Sequence, residues 1–193
     1  MRVLVLFEES GYIRSEFTRA GADAVSVDLL PAADGSHHHY EMDAEQMLRV
    51  DDNEWSLILA HPVCRFMCVS GNGTWANTPE RDEAVARTQH YWKLATAICD
   101  RVCFEQPVSV LELPGSNRQV VHPWMFHTAQ RKSTVLHTTG LPPLKPWVTT
   151  PPDILHSVVH HMSPGPDRSR ERGYLRWLAQ PVVEQWGSLK VSG

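Results

Sequence analysis

The stretch that decides the fold is LILAHPVCRFMCVSG, residues 57–71, in which an apolar run meets a proline just before Cys64. Short apolar runs ended by proline indicate buried strands of a parallel sheet. In open α/β sheets, ligands and reacting groups collect at the carboxyl ends of such strands. Cys64 is therefore a candidate nucleophile. The alternative is a core thiol, because unpaired cysteine is among the most buried residue types.

Strands and helices alternate on both sides of that run. A first helix is expected to be capped by Ser10 and to end at Gly21, and a longer one to begin at Thr78 with Pro79 in its first turn. This alternation predicts an α/β fold with a mostly parallel sheet flanked by helices. The predicted strands are 3–7, 24–30, 55–61 and 102–107.

The periodicity weakens after about residue 112. We predict one domain over residues 1–193, with a loop-rich C-terminal part from about residue 113. Prolines stiffen the segment 142–153, and the last helix is expected to be interrupted near Pro181.

The charge balance is slightly acidic, with 18 Lys and Arg against 22 Asp and Glu and a formal net charge of −4. It excludes a uniformly basic nucleic-acid-binding surface but allows a local basic patch. No apolar run approaches the roughly 18 residues of a membrane span. The four cysteines form no CxxC pair and no signal peptide is recognised, which favours reduced thiols in the cytoplasm.

Carboxylates stand where the predicted strands end. Glu8 and Glu9 follow the first strand, Asp28 lies near the end of the second, and Asp43 follows a further short extended segment. The chain has no GxGxxG loop for a pyrophosphate, and acidic turns would repel phosphates. S-adenosylmethionine, which carries a sulfonium, an ammonium and a ribose but no phosphate, suits such a site. The alternative is that these are solvated turn residues.

Eight segments carry a resemblance to a known family. They are FEESGYIRSEF (7–17), VSVDLLP (25–31), LILAHPVC (57–64), FEQPVSV (104–110), HPWMF (122–126), GLPPLKP (140–146), MSPGPDRSR (162–170) and VEQWG (183–187). In these the chain resembles the small phage-type proteins related to DNA cytosine-5 methyltransferases. The resemblance implies a Rossmann-like methyltransferase fold, S-adenosylmethionine as cofactor, and methyl transfer to cytosine C5 of DNA in the host cytoplasm.

The resemblance also assigns roles to individual residues. Cys64 matches the nucleophile of the family's Pro-Pro-Cys motif, and Glu105 matches the glutamate of its Glu-Asn motif. The implied cofactor contacts are Phe7, Glu8, Glu9, Ser10, Asp28, Leu29, Asp43 and Pro62.

The chemistry explains why these residue types are needed. Cytosine C5 is too weak a nucleophile to attack a sulfonium methyl group, and addition of a thiolate to C6 gives an enamine whose C5 can attack. The thiol must ionise, which needs an electropositive setting to which Arg65 is a candidate contributor. Glu105 would hydrogen-bond the N3 and N4 edge of the ring.

Two motifs depart from the family pattern. Pro-Pro-Cys is Pro62-Val63-Cys64 here, which predicts a looser turn, and Glu-Asn-Pro continues with Gln106, so that a bond to the neighbouring loop is either remade or lost. These departures keep open a protein that binds cofactor, nucleic acid or a host protein without turnover. The chain has no room for a large target-recognition region, which favours a short, single-stranded or nucleotide substrate, or a flipped base.

Basic residues give a weaker indication of nucleic-acid binding. The candidates for phosphate contacts are Arg65, Lys132, Arg168 and Arg170, although such clusters are usually solvated surface.

A zinc nucleobase deaminase is the rival enzyme hypothesis, because His39-Tyr40-Glu41 precedes Pro62, Cys64 and Cys68. Proline and cysteine are not adjacent, however, and the two cysteines are one residue too far apart. We therefore expect no metal site.

Overall fold

A computed structural model describes residues 1–50, 54–157 and 175–189. The strands within these ranges are β1 (Arg2–Leu6), β2 (Asp23–Asp28), β3 (His39–Glu41), β4 (Leu57–Ala60), β5 (Val102–Pro107), β6 (Asn117–Val121) and β7 (Thr134–Thr139). The α-helices are α1 (Tyr12–Arg19), α2 (Ala44–Val50), α3 (Asn72–Trp75), α4 (Pro79–Ile98) and α5 (Arg176–Trp186). No helix in these ranges is long and apolar enough to cross a membrane.

The seven strands form one sheet in the order β3-β2-β1-β4-β5-β7-β6. The pairs from β3 through β5 are all parallel, whereas β7 runs antiparallel to both β5 and β6. The chain order reverses between β1 and β4, which makes their carboxyl ends the expected position of a binding crevice.

The core lies on both faces of the sheet, which is why the central strands are continuously apolar. On β1, Val3 and Val5 pack in the layer that contains α1 and α5, while Leu4 and Leu6 pack in the layer that contains α2 and α4. This alternation follows from the two-residue period of a strand.

The start of α1 differs from the prediction. Ser10 does not cap the helix, which instead follows Gly11 in the left-handed region at φ 71°. The carboxylate of Glu8 accepts the N–H groups of Ile13 (2.6 Å) and Arg14 (3.2 Å) at the helix start. A side chain at position 11 would meet the guanidinium of Arg14, so glycine is required there.

The C-terminal part contains more regular structure than its weak periodicity predicted. The strands β6 and β7 complete the sheet where we expected loops. Four of the five β6 residues are at least partly exposed, so no apolar run marks the strand. The helix α5 is also continuous through Pro181, contrary to the predicted interruption.

Candidate active site

Cys64 lies in a turn at the carboxyl end of β4. The His61 N–H extends the strand by donating to the Leu6 carbonyl (3.1 Å), and the Cys64 carbonyl accepts the N–H groups of Met67 (3.0 Å) and Cys68 (3.1 Å). Cys64 is half-buried, so its thiol is not sealed in the core. Cys103 on β5, by contrast, is a core thiol and is only 3% exposed.

The surroundings of Cys64 favour its thiolate. A hydrogen bond from the Cys68 side chain contributes most to lowering the pKa of Cys64, which falls to about 7 although burial opposes the change. The charge of Lys132 lowers this pKa further, and the charge of Glu105 raises it. Arg65, the predicted contributor, instead places its guanidinium 5.4 Å from the Phe66 ring centroid. The thiolate of Cys64 is therefore more accessible at neutral pH than that of an ordinary cysteine.

We expect Cys64 to react with iodoacetamide at a rate that rises with pH around a midpoint near 7, in line with its lowered pKa. Lys132→Gln removes a charge that favours the thiolate and should move the midpoint up, whereas Glu105→Gln should move it down. Mass spectrometry of the alkylated peptides across a pH series measures both shifts. Cys99 and Cys103, whose pKa values are raised by burial, serve as internal references. Shifts of the same sign in the two variants would contradict the assignment.

Glu105 lies on the neighbouring strand β5 and is only 6% exposed. Its Oε2 is 3.5 Å from Nδ1 of His61. Glu105 Oε1 and both ring nitrogens of His61 have no hydrogen-bond partner among the described residues. Orphaned buried polar atoms cost about 1–3 kcal/mol each, and a bound group that pairs with them recovers that cost.

Gln106 stands where the family motif has Asn, and it still makes a hydrogen bond to the neighbouring loop. Its side-chain amide donates to the Pro62 carbonyl at 2.6 Å, and the residue is completely buried. This bond ties the end of β5 to the turn that leads into Cys64. The longer side chain therefore still connects the two motifs.

Arg81 is a residue that sequence reasoning missed. It lies in the first turn of α4, is buried, and donates to the carbonyls of Phe66 (2.7 Å) and Cys68 (3.2 Å) and to the side chain of Asn72 (2.8 Å). The segment that follows Cys64 is therefore fixed to α4. The available signal was periodicity, because Arg81 shares the inward face of the helix with Thr88, Trp92 and Ala95.

Arg81→Met should lower the free energy of unfolding by about 2–4 kcal/mol, because it removes the charged donor bonded to the half-buried carbonyls of Phe66 and Cys68 and to the Asn72 side chain. Arg87→Met, on an exposed position of the same helix, is the matched control and should change stability by less than about 0.5 kcal/mol. Urea denaturation followed by circular dichroism measures both. Equal effects of the two substitutions would show that the Arg81 bonds do not hold the loop.

The predicted cofactor residues at the end of β1 fall into two groups. Both oxygens of the Glu8 carboxylate are used at the start of α1, and burial raises the pKa of Glu8 against the opposing charge of His61. Glu8 therefore supports the loop rather than offering an oxygen to a ligand. Glu9 and Ser10 are half-buried, and their side chains make no hydrogen bond with other described residues.

Phe7 leaves β1 with φ 59°, a conformation uncommon for an aromatic residue. Its ring meets that of Tyr91 edge-on, with 5.1 Å between centroids. Burial raises the pKa of Tyr91, and the nearby charge of Asp43 adds to the effect. Asp43 accepts the N–H groups of Glu45 (2.7 Å) and Gln46 (3.4 Å) at the start of α2.

Asp28 ends β2 beside an unusual apolar surface. One oxygen of its carboxylate accepts the Leu30 N–H (3.0 Å), and the other has no partner among the described residues. Leu29 and Leu30 are 68% and 53% exposed. The conformation of this turn is held by His39, which donates from Nε2 to the Leu30 carbonyl (2.9 Å) and accepts at Nδ1 from Ser26 (2.8 Å).

This arrangement fits S-adenosylmethionine. The orphaned Asp28 oxygen is a suitable acceptor for ribose hydroxyls, the exposed leucines are suitable for covering by an adenosyl group, and Phe7 provides an aromatic wall. Pro62, also predicted to contact the cofactor, is buried at the end of the adjacent strand β4. The donor set is carboxylate and apolar, with no glycine-rich cradle for phosphates.

Two of the four residues predicted to contact phosphate lie within the described ranges. Lys132 precedes β7 and acts electrostatically on Cys64, while Arg65 is exposed one residue beyond it. Arg168 and Arg170 lie outside the described residues.

The residues of the rival zinc-site hypothesis do not lie together in the fold. His39 lies on β3, three strands away from β4, and both its ring nitrogens are hydrogen-bonded. No group of three or more potential metal ligands occurs in the part of the chain that the structure describes.

None of the protein-family models compared with the sequence matches it, nor does any curated protein. Among solved structures, the chain is similar to the Dnmt2 methyltransferase of S. pombe, with 16% identity, TM-score 0.46 and coverage of 72% of this chain and 48% of that one. It is also similar to the methyltransferase EhMeth of Entamoeba histolytica, with 12% identity, TM-score 0.50 and coverage of 86% and 61%.

The chain thus spans roughly half to three-fifths of the length of these two proteins. The likeness to the Entamoeba protein, together with the strand order, confirms the predicted Rossmann-like methyltransferase fold.

Proposed function

We propose that this protein transfers a methyl group from S-adenosylmethionine to C5 of cytosine in DNA, through a covalent adduct on Cys64. The observation that carries the proposal is the pairing of two groups at neighbouring strand ends. The Cys64 thiol, with a pKa of about 7, senses the charge of the buried Glu105, whose Oε1 has no partner among the described residues. A nucleophile beside an acid is the combination that cytosine C5 chemistry needs.

The chain's own residues supply the covalent step. The Cys64 thiolate adds to C6, and the C6–S bond forms while the electron pair of the C5–C6 double bond moves into the ring. Glu105, hydrogen-bonded at N3, stabilises the charge that develops there. S-adenosylmethionine, when bound, supplies an electrophilic methyl group to the C5 carbon. A water molecule then takes the C5 proton, the electron pair of that C–H bond restores the C5–C6 double bond, and the C6–S bond breaks to release the Cys64 thiolate.

Neighbouring residues hold these groups in place. Gln106 fixes the Pro62 carbonyl, which restrains the turn despite Val63 in place of a second proline. His61 lies with its Nδ1 3.5 Å from Glu105 Oε2 and also acts electrostatically on Glu8 in the loop after β1. Preorganised groups need little reorganisation during the reaction, which is the main source of electrostatic catalysis.

Asp28→Asn should weaken S-adenosylmethionine binding by about five- to tenfold, because it replaces a charged acceptor for the ribose hydroxyls. Asp23→Asn is the matched control. Asp23 lies at the amino end of the same strand, away from the predicted cofactor site, and pairs with Arg2. Isothermal titration calorimetry gives both affinities. Equal affinity of the Asp28 variant and the unsubstituted protein would mean that the cofactor does not lie at the end of β2.

A binding protein without turnover is the second candidate. Val63 is 69% exposed, and Val69 and Val110, on two segments joined by backbone hydrogen bonds, are also exposed, so the loop that carries Cys64 presents apolar side chains to the surface. Exposed apolar side chains suit contact with a flipped base, but they equally suit a protein partner. Cofactor binding without methyl transfer to any nucleic acid would favour this candidate.

The test is transfer of tritium from methyl-labelled S-adenosylmethionine to single-stranded DNA, duplex DNA, RNA and deoxycytidine monophosphate. The matched control replaces every cytosine with 5-methylcytosine. We expect label in a DNA substrate that contains cytosine and none in its methylated counterpart. Equal labelling of the two would place the acceptor atom elsewhere and would overturn the proposal.

A further inference from the structure

Two thiols lie together at the candidate site. The thiol of Cys68 donates to the Cys64 carbonyl, with 3.1 Å between sulfur and oxygen, so it is held against the residue that carries the other thiol. Both cysteines are half-buried thiols. The methyl-transfer chemistry proposed above forms a covalent bond only to Cys64, and the thiol of Cys68 takes no covalent part in it.

The backbone holds the two cysteines at a separation that permits a disulfide. The Cys68 N–H donates to the Cys64 carbonyl at 3.1 Å, which closes one helical turn. Residues four apart in such a turn have Cα atoms roughly 6 Å apart, within the usual range for disulfides. The turn is fixed from outside by Arg81 on the Cys68 carbonyl and by the bond from the Val69 N–H to the Val108 carbonyl (3.1 Å).

We propose that Cys64 and Cys68 form a reversible disulfide when the protein meets a peroxide, and that this pair is a redox-sensitive modification site. The Cys68 side chain is held against the Cys64 carbonyl, both thiols are half-buried, and the turn that carries them is restrained. That the disulfide also stops methyl transfer rests on the function proposed above, because it removes the nucleophile.

The chemistry balances with hydrogen peroxide as the oxidant. The Cys64 thiolate attacks one peroxide oxygen, the O–O bond breaks, and the leaving hydroxide takes a proton to become water. The sulfur of Cys68 then attacks the resulting sulfenic acid, the S–O bond breaks, and a second water leaves with the Cys68 proton. Two thiols are oxidised by two electrons, and one peroxide is reduced to two waters.

The other two cysteines provide a contrast within the same chain. Cys99 and Cys103 are buried, and burial raises the pKa of each thiol. Thiolate character and exposure both control oxidation by peroxide. Cys99 and Cys103 should therefore remain reduced under conditions that oxidise Cys64.

The test is peptide mapping of the full chain after brief treatment with hydrogen peroxide and alkylation of the remaining thiols. Trypsin cleaves after Arg65, between the two cysteines, so a disulfide joins the otherwise separate peptides 50–65 and 66–81. Cys99 and Cys103 fall in the peptides 94–101 and 102–118. We expect the joined pair 50–65 and 66–81, and its disappearance after dithiothreitol.

Cys68→Ser supplies a second readout. Without a resolving thiol, the sulfenic acid at Cys64 should persist, and its labelling by dimedone should exceed that of the unsubstituted protein at least tenfold. Equal dimedone labelling of the two proteins, or irreversible sulfinic acid at Cys64 of the unsubstituted protein, would overturn the proposal. A crosslink involving Cys99 or Cys103 would also overturn it.

The test of the disulfide does not depend on the test of methyl transfer. The crosslink is detected without substrate or cofactor, so absence of methyl transfer leaves this test intact. If the protein methylates DNA, activity should fall in step with the crosslinked fraction and return on reduction.

Discussion

Glu105→Gln is expected to lower the rate of methyl transfer to cytosine by about 10²- to 10⁴-fold, the usual contribution of a positioned acid. The substitution keeps the size of the side chain but removes the carboxyl group that stabilises charge at N3. The matched control is Glu112→Gln, the same chemical change on an exposed residue beyond β5. It should leave the rate unchanged.

The same variant has an opposite effect on the thiol, which separates the acid's role from general damage. The charge of Glu105 raises the pKa of Cys64, so its removal should speed alkylation of Cys64 at pH values below 7. Slow methyl transfer combined with faster alkylation is the expected signature. Full methyl transfer by the variant would remove Glu105 from the mechanism.

Cys64→Ser is expected to lower methyl transfer by about 10³-fold or more, because a serine hydroxyl is not ionised at neutral pH and adds poorly to C6. Affinity for S-adenosylmethionine should stay within about twofold, since the proposed cofactor residues lie at the ends of β1 and β2, at the start of α2 and at Pro62, none of which the substitution changes. The readouts are methyl transfer and calorimetry on the same preparation.

Cys99→Ser is the matched control for that substitution. The Cys99 thiol donates to the carbonyls of Trp55 and Arg101 at the amino end of β5, and a serine hydroxyl can make the same bonds. This variant should methylate at the unsubstituted rate. Equal loss in both serine variants would indicate a general sensitivity to cysteine replacement rather than a nucleophile at position 64.

The central sheet was predictable because its signals are local. The strand β4 is a continuous apolar run, β1 is one from Val3 onwards, and β5 starts with one; residues of the candidate site follow these runs. Parallel strands bring their carboxyl ends to one edge, so Cys64 and Glu105 could be placed near each other from the sequence.

The residues that support the site could not be predicted from the sequence, because their roles depend on tertiary contacts. Buried arginines carry no apolar signal, yet Arg81 fixes the loop after Cys64, and Arg14 binds Ser26 (3.0 Å) and Asp34 (2.5 Å) behind the turn at Asp28. Lys132 is far from Cys64 in sequence, so its effect on the thiol could not be read from spacing.

The most direct test of covalent catalysis at Cys64 uses a DNA oligonucleotide containing 5-fluorocytosine, incubated with the protein and S-adenosylmethionine. Fluorine at C5 blocks the proton loss that releases the enzyme, so the adduct accumulates. We expect an intact mass equal to protein plus methylated oligonucleotide, with the bond mapped to Cys64 in the tryptic peptide 50–65. Cofactor bound by calorimetry with no adduct, or an adduct that persists in Cys64→Ser, would contradict the account.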